Sequence, residues 1–140
     1  VLIGGSGSAE AGLASAIEAS SQRGRVIRPG RVPHDDRDAL LAAADALLFP
    51  SEFEGFGAPV VEAMALDTPV VCSSADALVE VVGDAGVVVA EPNGAAWAEA
   101  LAEVRRTRDT LVERGRRRRG LFTIESSGAA ISDAYRKATS

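Results

Sequence analysis

The chain has 140 residues, of which 46% are hydrophobic and 25% are charged, and its 15 basic and 20 acidic side chains give a formal net charge of −5. This length predicts one domain, residues 1–140, and the composition excludes a disordered, collagen-like or disulfide-stapled protein. The acidic balance argues against a nucleic-acid partner, and no apolar run approaches the ~20 residues that span a bilayer. The single cysteine, Cys72, excludes an internal disulfide and fits a reducing, cytoplasmic compartment.

Short, β-rich apolar runs recur along the chain at intervals of roughly twenty residues. Segments of helical character separate them, which is typical of βαβ units that build a parallel sheet with helices on both faces. The runs are continuous rather than alternating, as expected for strands that are buried on both faces. Five strands are predicted, at residues Val1–Ile3, Arg25–Arg28, Ala46–Phe49, Pro69–Cys72 and Val87–Val89.

Local signals mark where the helices begin. Asp35 and Asp36 supply a cap and first-turn negative charge for an alanine-rich helix. Pro59 suits the first turn of the next helix, because its missing N–H would be unpaired there in any case. Asn93 opens a further helix, and a last one is predicted from about residue 125 to residue 138.

The segment most informative about function follows the predicted strand Ala46–Phe49, where a loop with two glycines precedes a helix. In an open parallel α/β sheet, ligands bind at this carboxyl edge of the strands. The backbone N–H groups of Gly55, Phe56 and Gly57, together with the positive end of the helix dipole, are able to face a phosphate or sugar oxygen there. Glycine also lets such a ligand approach the backbone closely.

Two carboxylates, Glu54 and Glu62, bracket this turn with seven residues between them. A carboxylate accepts hydroxyl protons from a polyol, and one carboxylate is able to hold a vicinal diol through both of its oxygens. Beside a phosphate-binding helix start, the pair predicts a nucleotide-sugar site. The residues alone leave open a plainer interpretation, in which Glu62 complements the helix dipole and Glu54 is solvated.

The chain resembles the group 1 (family 4) retaining glycosyltransferases of GT-B fold through the string Glu54-Gly55-Phe56-Gly57 to Glu62-Ala63-Met64-Ala65, the E-x7-E motif of that family. Residues 30–32, 40–46, 68–71 and 80–86 resemble the flanking motifs at matching spacing. The likeness covers essentially the whole chain. It implies an α/β fold with a Rossmann-like parallel sheet and helices on both faces, which forms the C-terminal, donor-binding half of a GT-B protein, truncated at its N-terminal side.

The resemblance also implies a role for each site residue. Glu54 would be the catalytic residue at the donor hexose, and the amides of Gly55–Gly57 would hold the distal phosphate. Glu62 would grip the ribose diol, and the backbone at Val32 would lie against the base. The implied substrate is a UDP-, GDP- or ADP-linked sugar, whose hexose passes to a glycan or lipid-linked acceptor with retention, without a cofactor or a metal ion.

The same resemblance places the basic residues for the diphosphate, and the acceptor-binding N-terminal domain, upstream of Val1. Because the only methionine is Met64, we expect residues to precede Val1, and we expect this fragment to be inactive alone. Two alternatives stay open. One is a non-catalytic nucleotide-sugar-binding or assembly module, and the other is a GT-B-like sugar-nucleotide epimerase.

Two features near the C-terminus carry separate expectations. The arginine-rich run at residues 114–119 is predicted to be a solvated helix face, with peripheral docking at the inner face of a membrane as the alternative. The last helix carries a modest apolar stripe of Ile131, Ala134 and Tyr135. In the GT-B family the last helix crosses to the N-terminal domain, so the resemblance implies that this stripe lacks its partner here.

Overall fold

A computed structural model describes residues 1–91 and 93–139. The chain divides into two compact units, Val1–Arg37 and Asp38–Ser140. The strands are β1 (Leu47–Phe49), β2 (Val70–Ser73) and β3 (Gly86–Val89). The helices are α1 (Glu10–Ala19), α2 (His34–Ala43), α3 (Ala58–Ala65), α4 (Asp76–Val82), α5 (Gly94–Arg119) and α6 (Ile124–Ala138), and a 3-10 turn covers Arg23–Arg25.

In the first unit, two of the five strand predictions are wrong. Val1–Ile3 and Arg25–Arg28 do not form strands, and an isolated parallel bridge between Ile3 and Gly30 stands in their place. The 3-10 turn takes up the start of the second run, and Pro29, which lacks an N–H, interrupts the chain just before the bridge. The two segments still lie side by side, since the Leu2 N–H donates to the Ile27 carbonyl at 2.8 Å and the Gly4 N–H donates to the Gly30 carbonyl at 3.0 Å, but they do not form a regular ladder.

The second unit contains a three-stranded parallel sheet with the strand order β1-β2-β3. Leu47 pairs with Val70 at the start of the sheet, and Cys72 lies between Phe49 and Val88 in register. These strands confirm the three remaining sequence predictions to within a residue at each end. Parallel neighbours need a crossover connection, and α3 and α4 supply it.

Side chains of the central strand β2 alternate between two hydrophobic clusters. Val70 and Cys72 pack with the buried residues of α3 and α4, whereas Val71 packs with buried residues of α5. The helices therefore cover both faces of the sheet, as predicted. Full burial of each such side chain is worth about 1.5–3 kcal/mol relative to exposure. The residues of α5 in this core are Ala100, Val104 and Leu111.

Most helix starts follow the local signals in the sequence. The exception is α2, which begins at His34, so Asp35 and Asp36 lie inside its first turn and supply negative charge there but not the predicted cap. The Asn93 side chain accepts a hydrogen bond from the Ala96 N–H at 2.9 Å and so caps α5, and Pro59 lies in the first turn of α3. A reciprocal pair opens α6, where the Thr123 hydroxyl accepts from the Ser126 N–H at 3.1 Å and the Ser126 hydroxyl accepts from the Thr123 N–H at 3.0 Å. These contacts satisfy amide donors that a helix start otherwise leaves unpaired.

Arginine side chains from the end of α5 cap the C-terminal end of α3. Arg119 donates from Nη1 to the carbonyl oxygen of Ala65 at 2.6 Å. Arg116 forms a two-point ion pair with Asp67, in the turn that follows α3. Cations and donors at a helix C-terminus satisfy its last carbonyl groups and complement its dipole.

Arginines of the same run also cap the C-terminal end of α4. Arg118 donates from Nε to the Val81 carbonyl at 3.0 Å and from Nη2 to the Glu80 carbonyl, and Arg114 donates to the Asp84 carbonyl at 3.1 Å. We call the side chains of residues 114, 116, 118 and 119 the arginine clamp. Arg116 and Arg119 are exposed, as predicted for a solvated face, whereas Arg114 and Arg118 are half-buried. The sequence did not reveal that all four side chains engage acceptors far away in the sequence.

Helix α6 has no buried residue. Ile131 and Tyr135 of its apolar stripe are 59% and 71% exposed, as the sequence analysis expected for a stripe without a partner. Within residues 1–91 and 93–139, no helix is long and apolar enough to cross a membrane.

Candidate functional site

The loop singled out in the sequence, residues 50–57, joins β1 to α3 and lies at the carboxyl edge of the sheet; we call it the glycine loop. Its first part is tied to the neighbouring strand, because the Ser73 hydroxyl at the end of β2 donates to the Ser51 carbonyl. The Ser51 hydroxyl in turn donates to the Phe53 carbonyl at 3.2 Å. These bonds fix the direction in which the chain leaves β1.

The last part of the loop depends on Gly57, the residue that precedes α3. Gly57 is buried and has φ 89°, a left-handed backbone conformation that residues other than glycine rarely adopt. A Cβ atom at this position would lie 2.5 Å from Cδ2 of Leu78, well inside van der Waals contact. Both the backbone angle and the packing therefore require glycine here.

The loop presents backbone donors at the start of α3. Among the described residues, no acceptor takes the N–H groups of Gly55, Phe56 or Gly57, and α3 has no side-chain cap. The space beside Gly55 is open, since a Cβ built there meets no atom within 4 Å. Unpaired amides and the positive end of a helix dipole form a binding position for an anion such as a phosphate group.

Both predicted carboxylates belong to this loop and helix. Glu54 is half-buried in the loop, and Glu62 is half-buried on α3 with its Oε2 atom fully buried. Glu62 lies outside the stripe that α3 buries in the core. Because Cα–Cβ bonds tilt toward the N-terminus of a helix, the Glu62 side chain leaves the backbone in the direction of the glycine loop. The buried stripe consists of Val60, Ala63 and Met64.

The remaining predicted site residue, Val32, belongs to the first unit. It is half-buried and lies two positions after Gly30, whose φ of 77° is in the left-handed region. Its role beside a base stays a prediction. His34, the only histidine, is the exposed first residue of α2, and the described part of the chain contains no group of three or more His, Cys, Asp or Glu that could hold a metal ion.

Sequence reasoning missed two features at this edge of the molecule. A cleft of about 270 Å³ opens at the carboxyl ends of the strands and is lined by Glu52, Ser73 and Trp97 among others, but by neither Glu54 nor Glu62. The second feature is Phe122, whose ring packs against Phe56 of the loop. No local pattern could reveal either one, because each brings together residues that are distant in sequence.

The parallel sheet, the helices on both its faces and the glycine-containing loop at its carboxyl edge match a domain of GT-B fold. The chain superposes on sucrose-phosphate synthase from Thermosynechococcus elongatus with a TM-score of 0.83 and 27% sequence identity, over 99% of this chain and 38% of that one. The family model described as "Glycosyl transferases group 1" matches residues 1–119. The chain belongs to this family.

Individual relatives agree with this assignment. The chain is 48% identical over 77 residues to O-antigen chain mannosyltransferase B of Escherichia coli, which is 55% of this chain and 20% of that protein. It is 41% identical over 107 residues to the MMP alpha-(1->4)-mannosyltransferase of Mycolicibacterium hassiacum, which is 71% of this chain and 26% of that protein. The chain thus spans about a quarter or less of the length of these two relatives.

Proposed function

We propose that this chain binds a nucleoside-diphosphate sugar and that the full-length protein transfers the hexose to a glycan or lipid-linked acceptor with retention of anomeric configuration. The observation that carries the proposal is the row of available amides at Gly55, Phe56 and Gly57, at the start of α3 and beside open space. Such donors suit the distal phosphate of a nucleotide sugar.

The two carboxylates complete the proposed site. Glu62, one turn into α3, is able to accept hydroxyl protons from a ribose diol, and Glu54, in the middle of the loop, is able to accept them from the hexose. Val32 is proposed to lie against the base. Glu54 is the residue we propose to be catalytic, because it would touch the sugar whose bond is broken.

The proposed chemistry rests on charge. When the bond between the hexose and the diphosphate breaks, negative charge grows on the departing phosphate, and donors already aimed at that phosphate stabilise the transition state more than the ground state. The amides of Gly55–Gly57 and the dipole of α3 contribute to this effect. Basic side chains outside this chain are proposed to supply the rest, so neither a cofactor nor a metal ion is required by the proposal.

The names of the relatives bear on the substrates. Both mannosyltransferases named above transfer a hexose, which favours a hexosyl donor for this chain as well. Because the chain spans only part of these proteins, we propose that the acceptor binds mainly to a separate N-terminal domain and that the chain alone is inactive. A cytoplasmic location, with contact to a membrane where the acceptor is lipid-linked, is part of the same proposal.

The test is a calorimetric titration of the full-length protein with UDP, GDP, ADP and their sugars. We expect one nucleotide to bind, and we expect Glu62→Ala and the shape-preserving Glu62→Gln both to weaken it by about tenfold or more, as for a lost hydrogen bond to a charged group. Glu99→Ala, which removes an exposed carboxylate from α5, is the matched control and should bind normally.

Unchanged affinity in both Glu62 variants would overturn the proposed ribose contact. Nucleotide binding without transfer to any acceptor would favour the non-catalytic module, and release of an epimer without an acceptor would favour the epimerase. For transfer itself, Glu54→Gln should lower kcat by about a hundredfold while the nucleotide still binds.

A further inference from the structure

The middle of the glycine loop has little support of its own. Its ends are fixed at Ser51 and Gly57, but Phe53 between them is 89% exposed and Gly55 stands in open space. Glycine on both sides of Phe56 leaves the backbone there with more conformational freedom than any other residue type would. A side-chain contact of Phe56 is therefore the natural means of holding the amides that flank it.

Phe56 makes such a contact with Phe122. The two ring centroids lie 5.5 Å apart with an interplanar angle of 76°, an edge-to-face arrangement within the preferred range for aromatic pairs. Phe122 comes from the short segment between α5 and α6, 66 positions after Phe56 in the sequence. Its half-buried ring also packs against the core cluster between the sheet, α3 and α4.

Phe122 is itself held firmly. The guanidinium carbon of Arg118 lies 5.6 Å from the centroid of the Phe122 ring, and the same guanidinium donates to the carbonyl groups of Val81 and Glu80 at the end of α4. The Phe122 N–H donates to the Arg119 carbonyl at 3.0 Å. The ring is thus braced by both the arginine clamp and the last turn of α5.

We propose that Phe122 is a positioning residue for the glycine loop, which it serves by holding Phe56 and with it the amides of Gly55, Phe56 and Gly57 at their binding orientation. The ligand side of this inference rests on the proposed nucleotide-sugar function. Ordering a loop before the ligand arrives removes an entropy cost from binding, so a loosened loop binds the same ligand less tightly.

The first experiment measures the loop without a ligand. Backbone amide order parameters are recorded by NMR for the unmodified chain, for Phe122→Leu and for Leu121→Ala, which trims an apolar side chain that is 58% exposed at the neighbouring position. We expect the order parameters of Gly55 and Phe56 to fall in Phe122→Leu alone. Unchanged order parameters at these two residues in a folded Phe122→Leu protein would overturn the proposal.

The second experiment measures affinity for whichever of UDP, GDP and ADP binds the unmodified full-length protein. Phe122→Leu should weaken binding by about 3- to 10-fold, Phe122→Tyr should restore most of the affinity, and Leu121→Ala should change nothing. In a Phe56→Leu background, Phe122→Leu should have no further effect, because its action passes through Phe56. An equal loss in both backgrounds would contradict this route.

The two experiments separate failure of this inference from failure of the proposed function. If none of the three nucleotides binds the unmodified protein, the donor proposal fails, and the order parameters still decide whether Phe122 holds the loop. If a nucleotide binds and Phe122→Leu leaves its affinity unchanged, the donor proposal stands and the positioning role is refuted. Thermal unfolding of each variant shows whether a loss of affinity accompanies global destabilisation.

Discussion

Arg116 and Asp67 form a two-point ion pair between the end of α5 and the turn after α3, with Nε 2.8 Å from Oδ1 and Nη2 2.6 Å from Oδ2. Asp67 has φ 59°, in the left-handed region that favours glycine. The guanidinium therefore stabilises a residue whose backbone conformation is unfavourable by itself, and it ties this turn to α5.

The ion pair between Arg116 and Asp67 makes the stability of the fold depend on pH. The hydrogen bond from Arg116, with the charge of that guanidinium, holds the pKa of Asp67 below its ordinary value. A lowered pKa means that the pair stabilises the fold fully above the unfolded-state pKa, near 4, and that this contribution is lost as the pH falls through the folded-state value. We expect the difference in Tm between the unmodified chain and Arg116→Gln to be constant from pH 7 to pH 5 and to shrink below about pH 4. A constant difference down to pH 2 would contradict this account.

Substitution at Asp67 should separate the ion pair from the backbone conformation. Asp67→Ala loses both the pair and the tolerance of aspartate for a positive φ, whereas Asp67→Gly loses the pair but gains a residue that adopts this conformation freely. We expect the urea midpoint to fall further for Asp67→Ala than for Asp67→Gly. The reverse order would show that the left-handed conformation is not what limits this position.

Two glycines of the same loop should respond in opposite ways to one added methyl group. Gly57→Ala should destabilise the fold by about 1–2 kcal/mol from the backbone alone, with a further loss from the collision with Leu78. Gly55→Ala should leave Tm unchanged, because nothing lies within 4 Å of its Cβ position, yet weaken nucleotide binding by about tenfold. Unfolding curves of both variants measure the change in stability, and calorimetric titration of both measures the change in nucleotide affinity. Normal binding by Gly55→Ala would exclude a close ligand approach there.

Cys72 should be inert in the folded chain. It is fully buried in β2, and this burial raises the pKa of its thiol to about 11, so about one thiol in a thousand is ionised at pH 8. We expect no reaction with a disulfide reagent at pH 8 in the native protein and one equivalent after unfolding in guanidinium chloride. Fast reaction under native conditions would show that the sheet opens locally around β2.

Elements that depend on local chemistry were predictable from the sequence. Continuous apolar runs indicate the strands around Phe49, Val71 and Val88. Asn93 and Pro59 indicate where α5 and α3 begin. The glycine loop was predictable for the same reason, because strand, glycines, carboxylates and helix start lie within one stretch of chain.

The features that were not predictable depend on partners distant in sequence. Arg118 reads as one arginine in a charged run, and nothing nearby reveals that its acceptor is the carbonyl of Val81, 37 positions earlier. The pairing of Phe122 with Phe56 is hidden in the same way. The strand predicted at Arg25–Arg28 is wrong for a different reason. Its composition favours a strand, but a 3-10 turn at its start prevents one.

The arginine clamp makes the register of α5 as important as its composition. A residue inserted between Thr107 and Arg114 would turn everything beyond it by about 100° and advance it by about 1.5 Å. Arg116, Arg118 and Arg119 would then leave their acceptors together, uncapping α3 and α4 in one step and moving Phe122 with them. In this part of the chain a change of length is therefore more disruptive than a change of residue, and variation among related sequences should preserve the spacing from the core of α5 to its arginines.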